Sequence, residues 1–97
     1  MNIEKTMNDK ICTLAVTGDI DTITSPVLEK EISENAPQCQ KMILDLAGVE
    51  YISSAGIRTV LKARQLMGKE NLVLKNMNKN LMEIFKLTGF LGSLNIE

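Results

Sequence analysis

The chain has 97 residues, 44% hydrophobic and 24% charged, with a net charge of −1, which suits one domain over residues 1–97 with its own core and argues against disorder. No basic excess is present and aromatic residues make up only 3%, so neither a phosphate-binding footprint nor stacking platforms for nucleic acid are expected. Histidine is absent, which removes the commonest general base and metal ligand. The two cysteines, Cys12 and Cys39, are too few for a zinc tetrad or a disulfide scaffold.

No apolar run approaches the roughly 20 residues that span a bilayer. The polar stretch from Met1 to Lys10 does not read as a secretory signal. A reduced, cytoplasmic compartment is therefore expected, with no membrane, metal or cofactor. The chain carries no GxSxG, GxxxxGK[ST] or GxGxxG, so enzyme chemistry is not expected. The useful question becomes what the domain binds.

Met1 to Met7 reads as an edge strand, and Asn8-Asp9-Lys10 as a turn. Ile11-Cys12-Thr13-Leu14-Ala15-Val16 is an apolar, partly β-branched strand stopped by Gly18. Thr24-Ser25-Pro26 starts a helix, with a hydroxyl to cap free amides and proline in the first turn. Leu28, Ile32 and Ala36 then form one inward stripe, and Pro37 ends the helix.

Met42-Ile43-Leu44-Asp45-Leu46 is a second apolar strand, and its unbroken run predicts burial on both faces. Asp45, near its end, needs hydrogen bonds from neighbouring loop amides. After a connection from Gly48 to Ser54, a helix carries Ile57, Val60, Leu61, Ala63 and Met67 on one face. Arg58, Lys62 and Gln65 lie on the other face. Arg64 falls nearer the apolar side and must snorkel; Gly68 is the stop.

Asn71 to Lys75 is a third strand, and Asn76 to Asn80 supplies turn and cap residues. Leu81, Ile84, Phe85 and Thr88 mark a short helix closed by Gly89, and Leu94 and Ile96 a last short strand. This alternation implies βαβ units with at least partly parallel pairing. Cys12 reads as core filling, and the six methionines as core filler rather than surface.

Tyr51-Ile52-Ser53-Ser54-Ala55-Gly56-Ile57-Arg58 is the segment that stands out. Two hydroxyls lie directly before a helical pattern, so Ser53 or Ser54 is the N-cap. A serine cap contributes about 1 kcal/mol, and from this feature alone capping is the simpler account.

Read with its surroundings, the chain resembles the STAS domain of bacterial anti-sigma factor antagonists. The resemblance rests on Gly18-Asp19-Ile20-Asp21 after the first apolar strand and on Ile43-Leu44-Asp45-Leu46 in the next. Tyr51 to Ile57 follows at the expected distance, and Leu87-Thr88-Gly89-Phe90 matches a motif near the end of the third helix. Together these cover most of the chain in the right order.

The resemblance implies an α/β fold of STAS type, a mixed four- to five-stranded sheet with amphipathic helices packed mainly on one face. It implies a partner, an anti-sigma factor that is also a serine kinase, whose capture frees a sigma factor. Phosphorylation of the serine that opens the helix then ends the capture. Aligned on Gly56, that serine is Ser54, with Ser53 as second choice. The expected partner-binding residues are Asp21, Ser53, Ser54, Gly56, Arg58 and Lys62. For Asp21 a solvated turn aspartate is an equal reading, and for Arg58 and Lys62 a plain solvated helix face is.

Two departures stand out. The family pattern is Asp-Ser-Ser/Thr-Gly, and its aspartate falls on Ser53, which removes a carboxylate beside the acceptor. Many members also continue into a further helix where this chain stops at Glu97, which leaves a strip open to weak self-association or an extra partner contact. The alternative reading is a constitutive STAS scaffold or subunit of a signalling or lipid-transport complex, with Ser54 serving only as a cap.

Overall fold

The computed structural model describes Met1 to Glu97. A two-residue turn at Asp9 and Lys10, both left-handed (φ 49° and 65°), folds β1 (Asn2–Asn8) antiparallel onto β2 (Ile11–Thr17). That turn conformation matches the natural twist of a hairpin. Three helical crossovers then add β3 (Lys41–Gly48), β4 (Leu72–Lys75) and β5 (Asn95–Ile96), each parallel to the strand before it. The crossover helices are α1 (Ser25–Asn35), α2 (Ser54–Met67) and α3 (Lys79–Leu87).

Strand order in the sheet equals chain order. Successive crossovers therefore step in one direction, and connections of one hand place every helix on the same face. The core shows this. Cys12, Leu14 and Val16, Met42, Leu44 and Leu46, and Leu72 and Leu74 all point to one side. There they meet Leu28 and Ile32 of α1, Ile57, Val60 and Ala63 of α2, and Leu81 and Phe85 of α3. The order never reverses, so the sheet lacks the switch-point crevice where open α/β sheets bind cofactors.

The same topology corrects the expected two-sided burial of the second apolar strand. In β3, Met42, Leu44 and Leu46 are buried, whereas Ile43 and Asp45 on the other face are only half-buried. No helix covers that face. Val73 alone is fully buried there, between Ile43 and Asn95 on the flanking strands. Asp45 Oδ1 accepts from the Ala47 amide (3.1 Å) and from Asn76 Nδ2 (2.9 Å).

Other local expectations hold with refinements. Pro37 lies in a 3-10 turn, Ala36–Gln38, that directly follows α1. Gly68 (φ 88°) closes α2. Asn78 caps α3 by accepting from the Leu81 amide (2.8 Å). Arg64 runs along α2 and donates from Nε to the Ser93 carbonyl (2.6 Å), which fastens the turn before β5. Met42 is the one methionine in the core proper; Met67 and Met77 pack at its margin, and Met1 and Met7 are exposed. Burial pushes the Cys12 and Cys39 thiols up, and nearby Cys39 adds to the effect on Cys12. Neither is a thiolate nucleophile at neutral pH. No helix is long and apolar enough to cross a membrane.

Candidate functional site

The carboxyl ends of β2 and β3 lead into two loops that are bonded to each other. Ile20 pairs with Ile52 in an isolated parallel bridge. The Ile20 amide donates to the Tyr51 carbonyl (3.0 Å), and the Ser53 amide donates to the Ile20 carbonyl (2.8 Å). Both isoleucines are fully buried. The starts of α1 and α2 are thereby set side by side.

Gly56 explains how α2 can begin so close to this bridge. A Cβ on Gly56 would lie 2.6 Å from Ile52 Cγ1, 2.7 Å from Ile20 Cγ2 and 2.9 Å from the Ile20 carbonyl oxygen. The first turn of α2 rests directly on both loops, and no side chain fits between them. Gly56 is buried and so forms the floor of the site, not its surface.

At the start of α1, Asp21 Oδ1 accepts from the amides of Ile23 and Thr24, both at 2.9 Å. The Asp21 carbonyl accepts from the Ser25 amide (2.8 Å), so helical bonding begins at Asp21. The Thr24 hydroxyl accepts from the Asp21 amide (2.9 Å) and lies 2.8 Å from the Asp19 carbonyl, its acceptor. Thr24 makes no side-chain cap bond. The expected hydroxyl cap of this helix is thus replaced by a carboxylate cap, because the threonine hydroxyl is engaged within the turn. The Thr24 amide, followed by the Thr24 hydroxyl and the Ile23 amide, holds the Asp21 carboxyl below the usual carboxylate range.

At the start of α2 the two serines separate. Ser53 is extended (φ −88°, ψ 174°) and its Oγ accepts from the Gly56 amide (3.3 Å), which makes it the N-cap. Ser53 is half-buried, whereas Ser54, the first helical residue, is exposed. The Ser54 hydroxyl has no part in the cap. One turn further lies Arg58, exposed and outside both ion pairs of the chain, which join Lys30 to Glu34 and Lys62 to Glu29. A shallow groove of about 450 Å³ runs between the helices, lined by Ser25 and Glu29 of α1 and by Ala55, Arg58, Thr59 and Lys62 of α2. The Lys62–Glu29 pair bridges the two helices beside this groove. Asn78 Nδ2 and Asn80 Nδ2 at the start of α3 donate to the Val49 and Glu50 carbonyls (3.3 and 3.0 Å), which steadies the loop from β3.

The structure brings Asp21, Ser53, Ser54, Gly56, Arg58 and Lys62 to the two helix entrances and the groove between them. It also reveals exposed apolar side chains to which the sequence reading gave no surface role. Ile23 is 84% exposed, Val27 50% and Tyr51 47%, all on the two bridged loops or the first turns of α1. Their signal is legible in retrospect, since Ile23 and Val27 repeat at four-residue spacing off the inward Leu28 and Ile32 stripe. No group of three His, Cys, Asp or Glu side chains that could hold a metal occurs.

Known proteins share this architecture. A STAS domain family model matches residues 2–97. The protein named "Putative anti-sigma factor antagonist BtrV" of Bordetella bronchiseptica is 34% identical over 80 residues, which cover 77% of this chain and 67% of BtrV. Among solved structures, an anti-sigma factor antagonist from Mycobacterium paratuberculosis has a TM-score of 0.87 at 24% identity, over 98% of this chain and 83% of that one. The Bacillus cell fate determinant SpoIIAA in its phosphorylated form has a TM-score of 0.75 at 16% identity, over 99% of this chain and 89% of that one. At these identities the two structures establish a common fold.

Proposed function

From the premise that the chain belongs to the STAS-domain anti-sigma factor antagonist family, we propose that it captures an anti-sigma factor that is also a serine kinase. Capture frees the bound sigma factor. The kinase then transfers the γ-phosphoryl group of ATP to Ser54 Oγ, leaving ADP and a proton, and the modified chain is released. The chain acts as ligand and substrate and supplies no catalytic group of its own. Its place of action is the cytoplasm, where the partner would be.

The observation that carries this reading is the division of labour between adjacent serines. Ser53 has its hydroxyl engaged with the Gly56 amide, while the hydroxyl of exposed Ser54 stands outside the cap. The departure from the family's aspartate at Ser53 also becomes intelligible. Aspartate and serine are both strong N-caps, so the substitution keeps the cap and removes only a charge.

The same geometry supports a release mechanism. Ile23, Val27 and Tyr51 give the surface an apolar component, and Arg58 gives it an uncompensated positive charge. Phosphorylation adds a charge of roughly −1.5 to −2 at Ser54. The start of a helix accommodates that charge, so the fold persists. A partner seated over the exposed apolar side chains must desolvate the new dianion, and its affinity falls.

The test pairs binding calorimetry against the anti-sigma factor with thermal melts. Ser54→Ala is expected to bind within about two-fold of wild type and to melt close to it, because Ser54 is not the cap. Ser54→Asp should also fold normally yet bind at least about ten-fold more weakly. Equal binding by Ser54→Asp and wild type would sink the switch and favour a constitutive scaffold.

A further inference from the structure

The reading of Ser54 as the modified residue has a consequence on its own helix. We propose that Arg58 captures a phosphate on Ser54 within the same chain, so that modification withdraws a cation from the docking surface while adding an anion to it. This inference rests on the assignment of Ser54 and specifies how the modified state is built.

Ser54 and Arg58 are four residues apart in α2 and both are exposed. Residues at this spacing are neighbours on one helix face, with Cβ atoms about 5–6 Å apart. Side chains on a helix lean toward its N-terminus, so a guanidinium at position 58, which lines the groove beside Ala55, is within reach of a phosphate on Ser54. An acid N-terminal to a base at this spacing is the favourable order. A guanidinium also offers a planar fork of donors that suits two phosphate oxygens at once.

The other nearby cation is not equivalent. Lys62 lies eight residues from Ser54, about 12 Å along the axis, and its ammonium is bonded to Glu29. Arg58 has no carboxylate to leave. Before modification it is free to meet an acidic group on a partner. Afterwards its charge is answered inside the chain. The change in net charge is the phosphate's own, and the partner also loses Arg58 as a hydrogen-bond donor.

Phosphoserine installed at position 54 during translation, in the full chain, provides the test. The second ionisation of the phosphate is followed by phosphorus NMR in wild type, Arg58→Gln and Lys62→Gln. Asp19 and Asp21 in the loop before α1, Glu29 on α1, and Glu50 in the loop before α2 are the acidic groups on this side. Asp19, Asp21 and Glu50 keep their surroundings in all three proteins, whereas Lys62→Gln also frees Glu29, so a Lys62→Gln, Glu29→Gln double variant is titrated beside it. Arg58→Gln is expected to raise the proton affinity of the phosphate about three-fold, and Lys62→Gln by much less. Identical titration of wild type and Arg58→Gln would overturn the ion pair. So would equal shifts from the two variants, which would indicate a diffuse field. A kinase that ignores Ser54 defeats the assignment and leaves this titration readable; a flat titration defeats the ion pair and leaves the assignment standing.

Discussion

The entrances of α1 and α2 lie against each other, joined through Ile20 and Ile52, and they satisfy their free amides in opposite ways. At α1 the capping group is a carboxylate, and Asp21 Oδ1 serves two amides while the Thr24 hydroxyl is turned into the loop. At α2 the cap is a neutral hydroxyl serving one amide, and the next residue offers a second hydroxyl outside that network. The first helical residue is a serine at both entrances, but Ser25 of α1 is buried whereas Ser54 of α2 is exposed. Hydrogen bonding and burial, residue by residue, therefore distinguish two similar-looking helix starts.

The comparison depends on the two entrances staying in contact, and Gly56→Ala attacks that contact directly. The added methyl would come within 2.6–2.9 Å of Ile52, Ile20 and a backbone carbonyl. Both isoleucines are packed in the core and have little room to yield. Overpacking of this kind costs about 1–3 kcal/mol, offset in part by the higher helix propensity of alanine. We expect a net loss of about 2 kcal/mol in denaturant unfolding, the largest effect among the substitutions considered. A variant as stable as wild type would mean that the two entrances move apart freely.

The entrance of α1 should respond next. Asp21→Ala removes the acceptor of two amides at once and should lower the melting temperature more than any cap change at α2. The pH dependence has a defined sign. The folded-state pKa of Asp21 is depressed, chiefly by the Thr24 amide. Its contribution is then complete above the unfolded value, near about 3.9, and is lost as pH falls through the lower folded value. Melting temperatures of wild type and Asp21→Ala should differ near neutral pH and converge in acid. A gap that persists unchanged in acid would show that the carboxylate charge is irrelevant to the cap.

At the other entrance, Ser53→Ala should cost about 1 kcal/mol, the usual value of a serine cap. Ser53→Asp should restore it, since a carboxylate suits both the cap and the positive end of the helix. The same pair of substitutions at Ser54 should leave stability nearly unchanged. Equal losses from Ser53→Ala and Ser54→Ala would erase the distinction between the two serines.

Much of this was readable from local pattern. Apolar runs marked the strands, helical spacing marked the inward faces of α1 and α2, Gly68 marked a stop, and the stretch from Asn76 to Asn80 marked a turn and cap without singling out Asn78. What failed was what depends on distant parts of the chain. The run from Met42 to Leu46 is apolar on adjacent residues, but whether both faces are covered depends on the strand order of the whole sheet. Thr24-Ser25-Pro26 has the composition of a cap, yet the capping atom belongs to Asp21, three residues earlier, through the turn between them. The candidate site divided in the same way. Ser53 and Ser54 were both legible as helix openers, and the hydroxyl that reaches the Gly56 amide identifies Ser53 as the cap. The exposure of Ile23 and Val27 follows from their four-residue repeat only once the Leu28 and Ile32 stripe is known to face inward, and a single apolar residue such as Tyr51 carries no mark of exposure.

The smallest effect belongs to the bridge between the two helices. Lys62 and Glu29 form an ion pair across the groove, with side chains 60% and 39% exposed. Pairs in water of this kind contribute about 0–1 kcal/mol, because solvent screens the attraction and two long side chains lose freedom. A double-mutant cycle of Lys62→Ala and Glu29→Ala should therefore give a coupling below about 0.5 kcal/mol, weaker still at high salt. The contact of the two entrances would then rest on Ile20, Ile52 and Gly56, with the ion pair as a minor addition. This also bears on the groove. If the pair is this weak, a partner can open it at little cost and use Lys62 as a second cation after Arg58. A coupling above about 2 kcal/mol would instead make the bridge a fixed part of the fold, and Lys62 would be unavailable to any partner.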